Sequence, residues 1–266
     1  MVVTLDRRVD KIELSMARLT RHTVDDDYSH DSVGWVKDMF SFQPDDWQAD
    51  VLTSTANRLL LNITRQGGKS TTAALLALHV ATYQPGSLIL MVSPSLRQSG
   101  ELFRKFRDFF EQLPNRPKLR EDNKLSVTLE NGTRVVSLPG SEQTIRGFSS
   151  VDLLIEDEAA RVADDLFYAT RPMLAVSGGR HVLMSTPFGK RGHFWQCWNS
   201  GDWENIKIRA DECPRITAEF LEQEQQVLGN WWYSQEYNCE FLDSQNAIFT
   251  FDLLNRAREE VSVWNL

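Results

Sequence analysis

Cysteine is scarce in this sequence, and long apolar runs do not occur in it. Cys197, Cys213 and Cys239 are far apart and show no C-x-x-C spacing, which argues against a zinc site or a disulfide framework and favours buried free thiols. No run of about 18 apolar residues is present, so we expect no membrane-spanning helix. The charged N-terminus has no apolar signal core, and we therefore expect a cytosolic protein.

Positive charge is also in short supply. The 266 residues include 29 Lys and Arg against 37 Asp and Glu, which gives a net charge of −8 at pH 7. General nucleic-acid-binding proteins are usually basic, so any contact with DNA needs a local basic patch. The rest of the composition, with 41% hydrophobic and 25% charged residues, is ordinary for a globular protein. The length suits one large α/β domain with a small appended subdomain.

Short apolar runs alternate with helical segments in the middle of the chain. Such alternation indicates a mostly parallel sheet with helices on both faces. Asn131-Gly132 adds a strong β-hairpin signal between 125–130 and 133–138. The predicted strands are RLLLNI (58–63), SLILMV (87–92), VDLLI (151–155) and RHVLMS (180–185), and the predicted helices are 70–83, 95–113 and 162–174.

The pattern changes on both sides of this α/β core, which we place at 33–209. Residues 1–32 are predicted to form an extension with a polar helix from Arg7 to Arg18. Beyond residue 210, two further helices at 217–228 and 230–240 predict a small, mainly helical subdomain at 210–250. Residues 251–266 are left as the start of a linker.

The strongest local signal is ITRQGGKST, residues 63–71, which lies between a predicted strand and a predicted helix. In a phosphate-binding loop the glycines let backbone N–H groups turn toward a phosphate, and the helix N-terminus adds a partial positive charge. Lys69 would reach the β- and γ-phosphates, and the Ser70 hydroxyl would ligate Mg²⁺. The usual motif has a first glycine where this chain has Ile63. A strand-to-helix turn that merely uses glycine is the alternative.

A second signal is the acidic end of the third predicted strand, in VDLLIEDEA (151–159). A magnesium nucleotide site needs a carboxylate at the carboxyl end of a neighbouring strand and a base beside it. Asp157 fits the metal and Glu158 fits the base, and a shift by one residue would put Glu156 on the metal. A solvated strand end is the alternative, but the upstream phosphate loop favours the nucleotide site.

Taken together, these motifs resemble the ATPase domain of phage and herpesvirus-type large terminases, ring-forming motors that drive DNA into a capsid. The likeness covers about residues 33–250. It implies a P-loop ASCE-type NTPase fold with a lid at 210–250, and it implies ATP and Mg²⁺ as cofactors. Terminases often lack the first glycine and carry Arg-Gln before the glycine pair, as this chain does. The implied nucleotide-binding residues are Gln48, Arg65, Gln66, Gly67, Gly68, Lys69, Ser70 and Thr71.

The resemblance also assigns roles to residues outside the two central motifs. Gln48 in FQPDDWQ (42–48) matches the family's adenine motif, with Gln43 as a weaker candidate. Arg146 in TIRG matches the arginine finger that acts across a subunit boundary. Ser185 and Thr186 match the family's coupling motif.

Each of these matches also has an ordinary reading. Gln48 would be a surface residue of a helix, Arg146 a surface-loop arginine, and Ser185-Thr186-Pro187 a strand-to-helix cap. Arg65 is either a γ-phosphate sensor or a structural ion pair.

DNA contact is predicted on the long helix that begins near Ser95. Arg104, Lys105 and Arg107 cluster there, and phosphate contacts need only such a local basic stripe. A solvated helix face is the alternative interpretation. A second candidate is the hairpin region, with Lys118, Arg120, Lys124 and Arg134.

The implied partners are double-stranded DNA, further copies of the chain in a homo-oligomeric ring, the portal and the small terminase subunit, with no membrane. The implied location is the cytoplasm of the infected host cell. Full large terminases also carry a nuclease domain. This chain ends at Leu266 before one, so no nuclease activity is expected in it.

Two other functions fit part of the pattern. A helicase-like or other DNA-dependent ATPase would share the nucleotide site, although no second RecA-like domain is visible. A nucleotide-gated, non-catalytic assembly subunit is supported by the lost first glycine and opposed by Glu158.

Overall fold

The chain folds into helices packed on both faces of one sheet. The computed structural model describes residues 28–140, 145, 147–243, 253 and 256, so the helix predicted from Arg7 to Arg18 lies outside the described residues. In chain order the elements are α1 (Ser32–Phe40), α2 (Asp46–Thr53), β1 (Arg58–Ile63), α3 (Lys69–Tyr83), β2 (Leu88–Ser93), α4 (Leu96–Gln112), β3 (Leu119–Asn123), β4 (Ser126–Leu129), β5 (Arg134–Pro139), β6 (Leu153–Asp157), α5 (Asp164–Leu174), β7 (Arg180–Ser185), α6 (Gly192–Asn199), β8 (Glu204–Ile208) and α7 (Ala218–Glu236).

The eight strands form one sheet in the order β3-β4-β5-β2-β6-β7-β1-β8. All neighbours from β5 to β8 in this order pair in parallel, whereas β4 pairs antiparallel with both β3 and β5. The predicted fold class, a mostly parallel sheet flanked by helices, is confirmed. The hairpin predicted around Asn131-Gly132 is also confirmed, as the β4–β5 pair.

Alternation along β1 explains why both faces are covered. Leu59, Leu61 and Ile63 pack into the core under α1 to α4, whereas Leu60 packs on the opposite face with Phe167 of α5 and residues of α6. Successive side chains of a strand point to opposite faces, so a strand that is apolar throughout needs helices on both sides. The continuous apolar runs of the central strands therefore fix a three-layer arrangement.

Strand order places the two sequence motifs at one edge of the sheet. β1 leads into the glycine loop and β6 ends at Asp157, and β7 lies between them. Because all three strands are parallel, their carboxyl ends meet at the same edge, where ligands bind in open α/β sheets. One intervening strand between the loop strand and the acidic strand is the arrangement of an ASCE-type P-loop fold.

Two strands were not predicted from the sequence. β3 is largely exposed and β8 is only partly buried, and both lie at edges of the sheet. Edge strands carry polar residues that do not give the apolar run expected of a buried strand.

The segment after β8 is mainly helical. The non-helical Gly229 (φ 72°, ψ 165°) breaks α7, which agrees with the two helices predicted on either side of that residue. Ala210, Leu221 and Tyr237 form its small core.

Two expectations about the whole chain concern thiols and membranes. All three cysteines are buried free thiols. No helix in the described part of the chain is long and apolar enough to cross a membrane.

Candidate nucleotide-binding site

The loop between β1 and α3 has the backbone conformation of a tight phosphate-binding turn. Gln66 (φ 56°) and Gly68 (φ 104°) both take left-handed conformations. A Cβ at Gly68 would lie 2.8 Å from Gln48 Nε2, and a Cβ at Gly67 would lie 2.9 Å from Ile63 Cγ2. Gly68 is therefore favoured by its positive φ, and Gly67 by the close approach of Ile63 Cγ2 and of the Thr64 carbonyl oxygen at 3.2 Å.

Ile63, which replaces the usual first glycine, ends β1 with its side chain fully buried. The departure from the usual motif therefore serves the core and leaves the turn around Gly67 and Gly68 intact.

Lys69 begins α3 and lies inside this turn. Its Nζ donates to the carbonyl oxygens of Ile63 at 2.8 Å and Thr64 at 2.9 Å. Burial lowers the pKa of Lys69, and the carboxylates of Glu158 and Asp157 oppose that shift. The ammonium group is thus held by the loop that a phosphate would approach, between that loop and the acidic end of β6.

Asp157 and Glu158 follow one another at the end of β6. Burial and the neighbouring Glu158 carboxylate raise the pKa of Asp157 to about 6, and Lys69 opposes the shift. Glu158 has a left-handed backbone (φ 51°), a strain of roughly 1–3 kcal/mol for a residue with a Cβ. Its Oε2 accepts a hydrogen bond from Arg161 Nη1 at 2.8 Å. A strained residue with a fixed side chain at a ligand-binding edge is typical of a functional site.

Glu156 belongs to a different environment. It is fully buried, its Oε1 accepts from His181 Nε2 at 2.9 Å, and its Oε2 lies 3.4 Å from His193 Nε2. Burial alone would raise the pKa of Glu156, but the hydrogen bond from His181 and the nearby His193 outweigh it and hold the pKa at about 2. Because side chains alternate along a strand, Glu156 points away from the face that Asp157 serves. The geometry therefore favours Asp157 over Glu156 as the metal residue.

A cavity of about 690 Å³ opens between the glycine loop, α4 and the end of β6. Of the residues predicted to bind nucleotide or act in catalysis, it brings together Arg65, Gln66, Gly68, Lys69, Ser70, Thr71 and Glu158. Its cationic side chains are Arg65, Lys69, Lys105, Arg161 and Arg215, against the single carboxylate of Glu158. Arg65 and Arg161 pair with Glu236 and Arg215 pairs with Asp45, next to this lining. Positively charged donors gathered in a cleft suit a polyphosphate.

Gln48 lies beneath the loop and is not among the residues that line this cavity. It is 1% exposed. Its Nε2 donates to Thr72 Oγ1 at 2.9 Å, and its Oε1 accepts the Asp45 N–H at 2.9 Å. The contact with Asp45 is one half of a capping box at the start of α2. In this structure the side chain supports the loop, and its predicted contact with adenine remains a prediction.

A buried carboxylate from α7 joins several parts of the site. Glu236 is 7% exposed. It accepts hydrogen bonds from Arg65 Nε at 2.8 Å, Arg161 Nη2 at 2.9 Å and Thr186 Oγ1 at 3.0 Å. Arg161 Nη1 also reaches Glu158 and, at 3.2 Å, Thr186 Oγ1. The glycine loop, the acidic strand end and the end of β7 are therefore tied to α7 through one residue.

The sequence reading missed Glu236, Arg161 and Arg215. Arg215 makes a bidentate ion pair with Asp45, at 3.0 and 2.7 Å, and donates to the Gly67 carbonyl at 2.9 Å. Glu236 and Arg215 meet the loop from more than 140 positions away in the chain, so no local pattern marks them. Arg161 follows Glu158 by three residues, and that spacing was the one available signal.

The chain matches a known protein family over most of its length. A family model described as the N-terminal part of the T4likevirus-type terminase large subunit matches residues 60–256. The chain belongs to the terminase large subunit family.

Individual terminases show how far the likeness extends. The large terminase subunit of Thermus phage G20c is 23% identical over 250 residues, which cover 80% of this chain and 52% of that protein. The chain thus spans about half the length of the curated relatives that it matches.

Solved terminases share the fold. The large terminase ATPase domain of Thermus phage P74-26 has a TM-score of 0.68 at 21% identity, covering 77% of this chain and 97% of that one. The large terminase of the thermophilic bacteriophage D6E, solved in complex with ADP, has a TM-score of 0.60 at 12% identity, covering 74% of this chain and 53% of that one.

Two side chains at this site carry oxygen donors of the kind that Mg²⁺ prefers when it binds together with a nucleotide. The Ser70 hydroxyl and the Asp157 carboxylate are hard oxygen donors, which Mg²⁺ prefers. Within the described ranges, no group of three His, Cys, Asp or Glu side chains is arranged to hold a metal by itself. Because Mg²⁺ usually takes one or two protein ligands and completes its shell with phosphate and water, this small set fits.

The residues predicted to contact DNA do not share one surface. Arg104 pairs with Glu101 of the same helix, and Arg107 pairs with Asp122 at 2.6 Å. Lys105 faces the nucleotide cavity instead. Arg104 and Arg107 are three residues apart and lie on one side of α4, whereas Lys105 is turned away from them. Contact of these three residues with DNA remains a prediction.

The remaining predicted residues are the second group of candidate DNA contacts and the predicted arginine finger. The hairpin residues Lys118, Arg120, Lys124 and Arg134 are all exposed. The predicted arginine finger, Arg146, lies outside the described residues, between the described Ile145 and Gly147.

Proposed function

We propose that this chain is the ATP-hydrolysing motor domain of a viral DNA-packaging terminase and couples hydrolysis to translocation of double-stranded DNA into a capsid. The observation that carries the proposal is the cavity in which Lys69 and Glu158 converge, in a chain that belongs to the terminase large subunit family. The ADP complex of the D6E terminase adds support for a nucleotide ligand.

Nucleotide binding uses the glycine loop. The backbone N–H groups from Gln66 to Ser70 and the Lys69 ammonium hold the β- and γ-phosphates. Ser70 and Asp157 hold Mg²⁺, which neutralises charge on the phosphate oxygens when bound. Gln48 reads the adenine, and Thr71, in the first turn of α3, contacts the nucleotide.

Hydrolysis uses two further residues. Glu158 orients a water molecule and accepts its proton as the water attacks the γ-phosphorus. Arg161 holds the Glu158 carboxylate in position through its 2.8 Å hydrogen bond. Arg146 of a neighbouring subunit stabilises the negative charge of the transition state, which makes a homo-oligomeric ring the active form.

The proposed division of the chain is an ATPase core at 33–209 and a lid at 210–250, between an extension at 1–32 and a linker from 251.

Glu236 couples the ATPase core to the lid. Release of the γ-phosphate changes the charge beside Arg65, and Arg65 shares Glu236 with Arg161 and Thr186. Glu236 transmits that change to α7, and the lid moves against the core with Ser185 and Thr186 as the hinge contact. The moving lid then acts on DNA, which basic residues of α4 such as the exposed Arg104 and the half-buried Arg107 contact.

Glu236→Gln is expected to lower kcat by about 10- to 100-fold. The amide keeps the size of the side chain but replaces charge-assisted hydrogen bonds from Arg65 and Arg161, each worth about 1.5–3 kcal/mol. The KM for ATP should change less, since Glu236 does not line the cavity. Steady-state ATP hydrolysis measures both values. Glu222→Gln, an exposed residue of the same helix, is the matched control, and an equal loss in both variants would contradict the coupling role.

Displacement of a triplex tests translocation itself. A labelled third strand bound to double-stranded DNA should be released by the protein with ATP, and it should stay bound with a non-hydrolysable ATP analogue. A helicase-like ATPase would instead separate the strands of a forked duplex. ATP binding without hydrolysis or displacement would identify a nucleotide-gated assembly subunit and overturn the proposal.

A further inference from the structure

We infer that Lys105 binds the phosphate chain of the nucleotide from the α4 wall of the cavity, and that it is not a DNA contact. The inference rests on the proposed function, because it adds a residue to the same ATP site. No motif of the sequence assigns this role to Lys105.

Helix geometry separates Lys105 from its basic neighbours. Lys105 and Gln98 are seven residues apart on α4, which is two helical turns and places them on one face. Both line the nucleotide cavity. Arg104 and Arg107 point elsewhere and pair with carboxylates of this chain. The face of α4 that carries Lys105 is therefore the face turned toward the glycine loop.

Distances place the ammonium group beside the loop helix. Lys105 Nζ lies 3.4 Å from Thr71 Oγ1, which belongs to the first turn of α3. The ammonium thus lies against the first turn of α3, on the wall of the cavity that faces the glycine loop.

Charge balance leaves Lys105 available for a ligand. Across the described ranges of the chain, no ion pair with a carboxylate involves Lys105. Three of the other cations that line the cavity, Arg65, Arg161 and Arg215, are already paired with carboxylates. The ammonium group of Lys105 is therefore one of the charges left to meet an anionic ligand. The phosphate chain of ATP is the anion that the adjacent glycine loop is built to bind.

Equilibrium binding of ATPγS, ADP and a double-stranded DNA oligonucleotide tests this role. Lys105→Gln should raise the Kd for both nucleotides by about 10- to 100-fold, the effect of losing one charge-assisted hydrogen bond. The Kd for DNA and its dependence on salt concentration should stay as in the wild type. Lys105→Arg should recover part of the nucleotide affinity because it restores the charge.

Three further proteins make the result decisive. Lys37→Gln, on the exposed side of α1, is the control for the loss of one lysine and should bind nucleotide like the wild type. Arg104→Gln is the comparison for DNA binding, and it should raise the Kd for DNA while leaving the Kd for nucleotide unchanged. Lys69→Ala tests the site itself and should bind ATPγS more weakly than the wild type. If the wild type binds no ATPγS, the proposed function fails together with this inference.

If the wild type and Lys105→Gln bind nucleotide equally, only the role of Lys105 is overturned. If Lys105→Gln raises the Kd for DNA and leaves the Kd for nucleotide unchanged, Lys105 is a DNA contact and the inference is overturned. An equal loss of nucleotide affinity in Lys37→Gln would assign the effect to overall charge and overturn the specific contact.

Discussion

Glu158→Gln is expected to bind ATP like the wild type but to release phosphate about 10²- to 10⁴-fold more slowly, the usual contribution of a general base. The glutamine has the same shape, and its carbonyl oxygen keeps the hydrogen bond from Arg161 that the carboxylate accepts at 2.8 Å. It cannot accept a proton from the attacking water. Single-turnover phosphate release at saturating ATP measures the loss, and binding of ATPγS measures the affinity.

Glu130→Gln, an exposed carboxylate next to the β4–β5 turn, is the matched control and should keep the wild-type rate. A Glu158→Gln protein with full kcat would show that another group activates the water. A protein that lost both ATPγS binding and thermal stability would show that the strained residue at φ 51° holds the strand end instead.

Arg146→Ala should lower kcat by about 10³- to 10⁵-fold, the contribution of an arginine finger to phosphoryl transfer. The prediction rests on the TIRG motif at 144–147 and on family membership. Nucleotide affinity should change little, because the finger stabilises charge that develops in the transition state. Arg116→Ala, an exposed loop arginine, controls for the loss of one cation.

Mixing separates a finger that acts across subunits from one that acts within a subunit. Equimolar Glu158→Gln and Arg146→Ala should partly restore ATP hydrolysis, since each protein supplies the group that the other has lost. The wild-type rate per subunit should also rise with protein concentration. If the mixture hydrolyses no ATP and the wild-type rate per subunit does not depend on concentration, the ring mechanism is contradicted, whereas the ATPase assignment still holds.

The local parts of the site could be read from the sequence because each is a strand followed directly by its functional turn. The run at 58–63 is apolar and ends in the glycine pair, and the run at 151–155 is apolar and ends in acidic residues. Periodicity identifies such buried parallel strands, and parallel strands bring their carboxyl ends together. The predicted meeting of Lys69 with Asp157 and Glu158 followed from topology alone.

The long-range parts could not be read in the same way. Glu236 reaches Arg65 across 171 positions, and Arg215 reaches Asp45 across 170. Neither residue belongs to a local motif, so only tertiary packing identifies it. β8 could not be predicted for a related reason, because the sequence of an edge strand with alternating polar residues resembles that of a loop.

The face of α4 on which each basic residue lies follows from its position in the sequence. Grouping Arg104, Lys105 and Arg107 by adjacency predicted one basic stripe, whereas successive helical positions differ by about 100°. The seven-residue spacing from Gln98 to Lys105 was the informative pattern, once α4 was known to pack along the glycine loop.

Phosphate release from Mg–ATP by the wild type and by Lys69→Ala, measured side by side, tests the central claim most directly. The wild type should hydrolyse ATP, and Lys69→Ala should show no turnover above background, because the ammonium between the glycine loop and Glu158 is gone. Equal rates in the two proteins, or a wild type that hydrolyses no ATP at any concentration, would contradict the assignment of this cavity as the site of ATP hydrolysis.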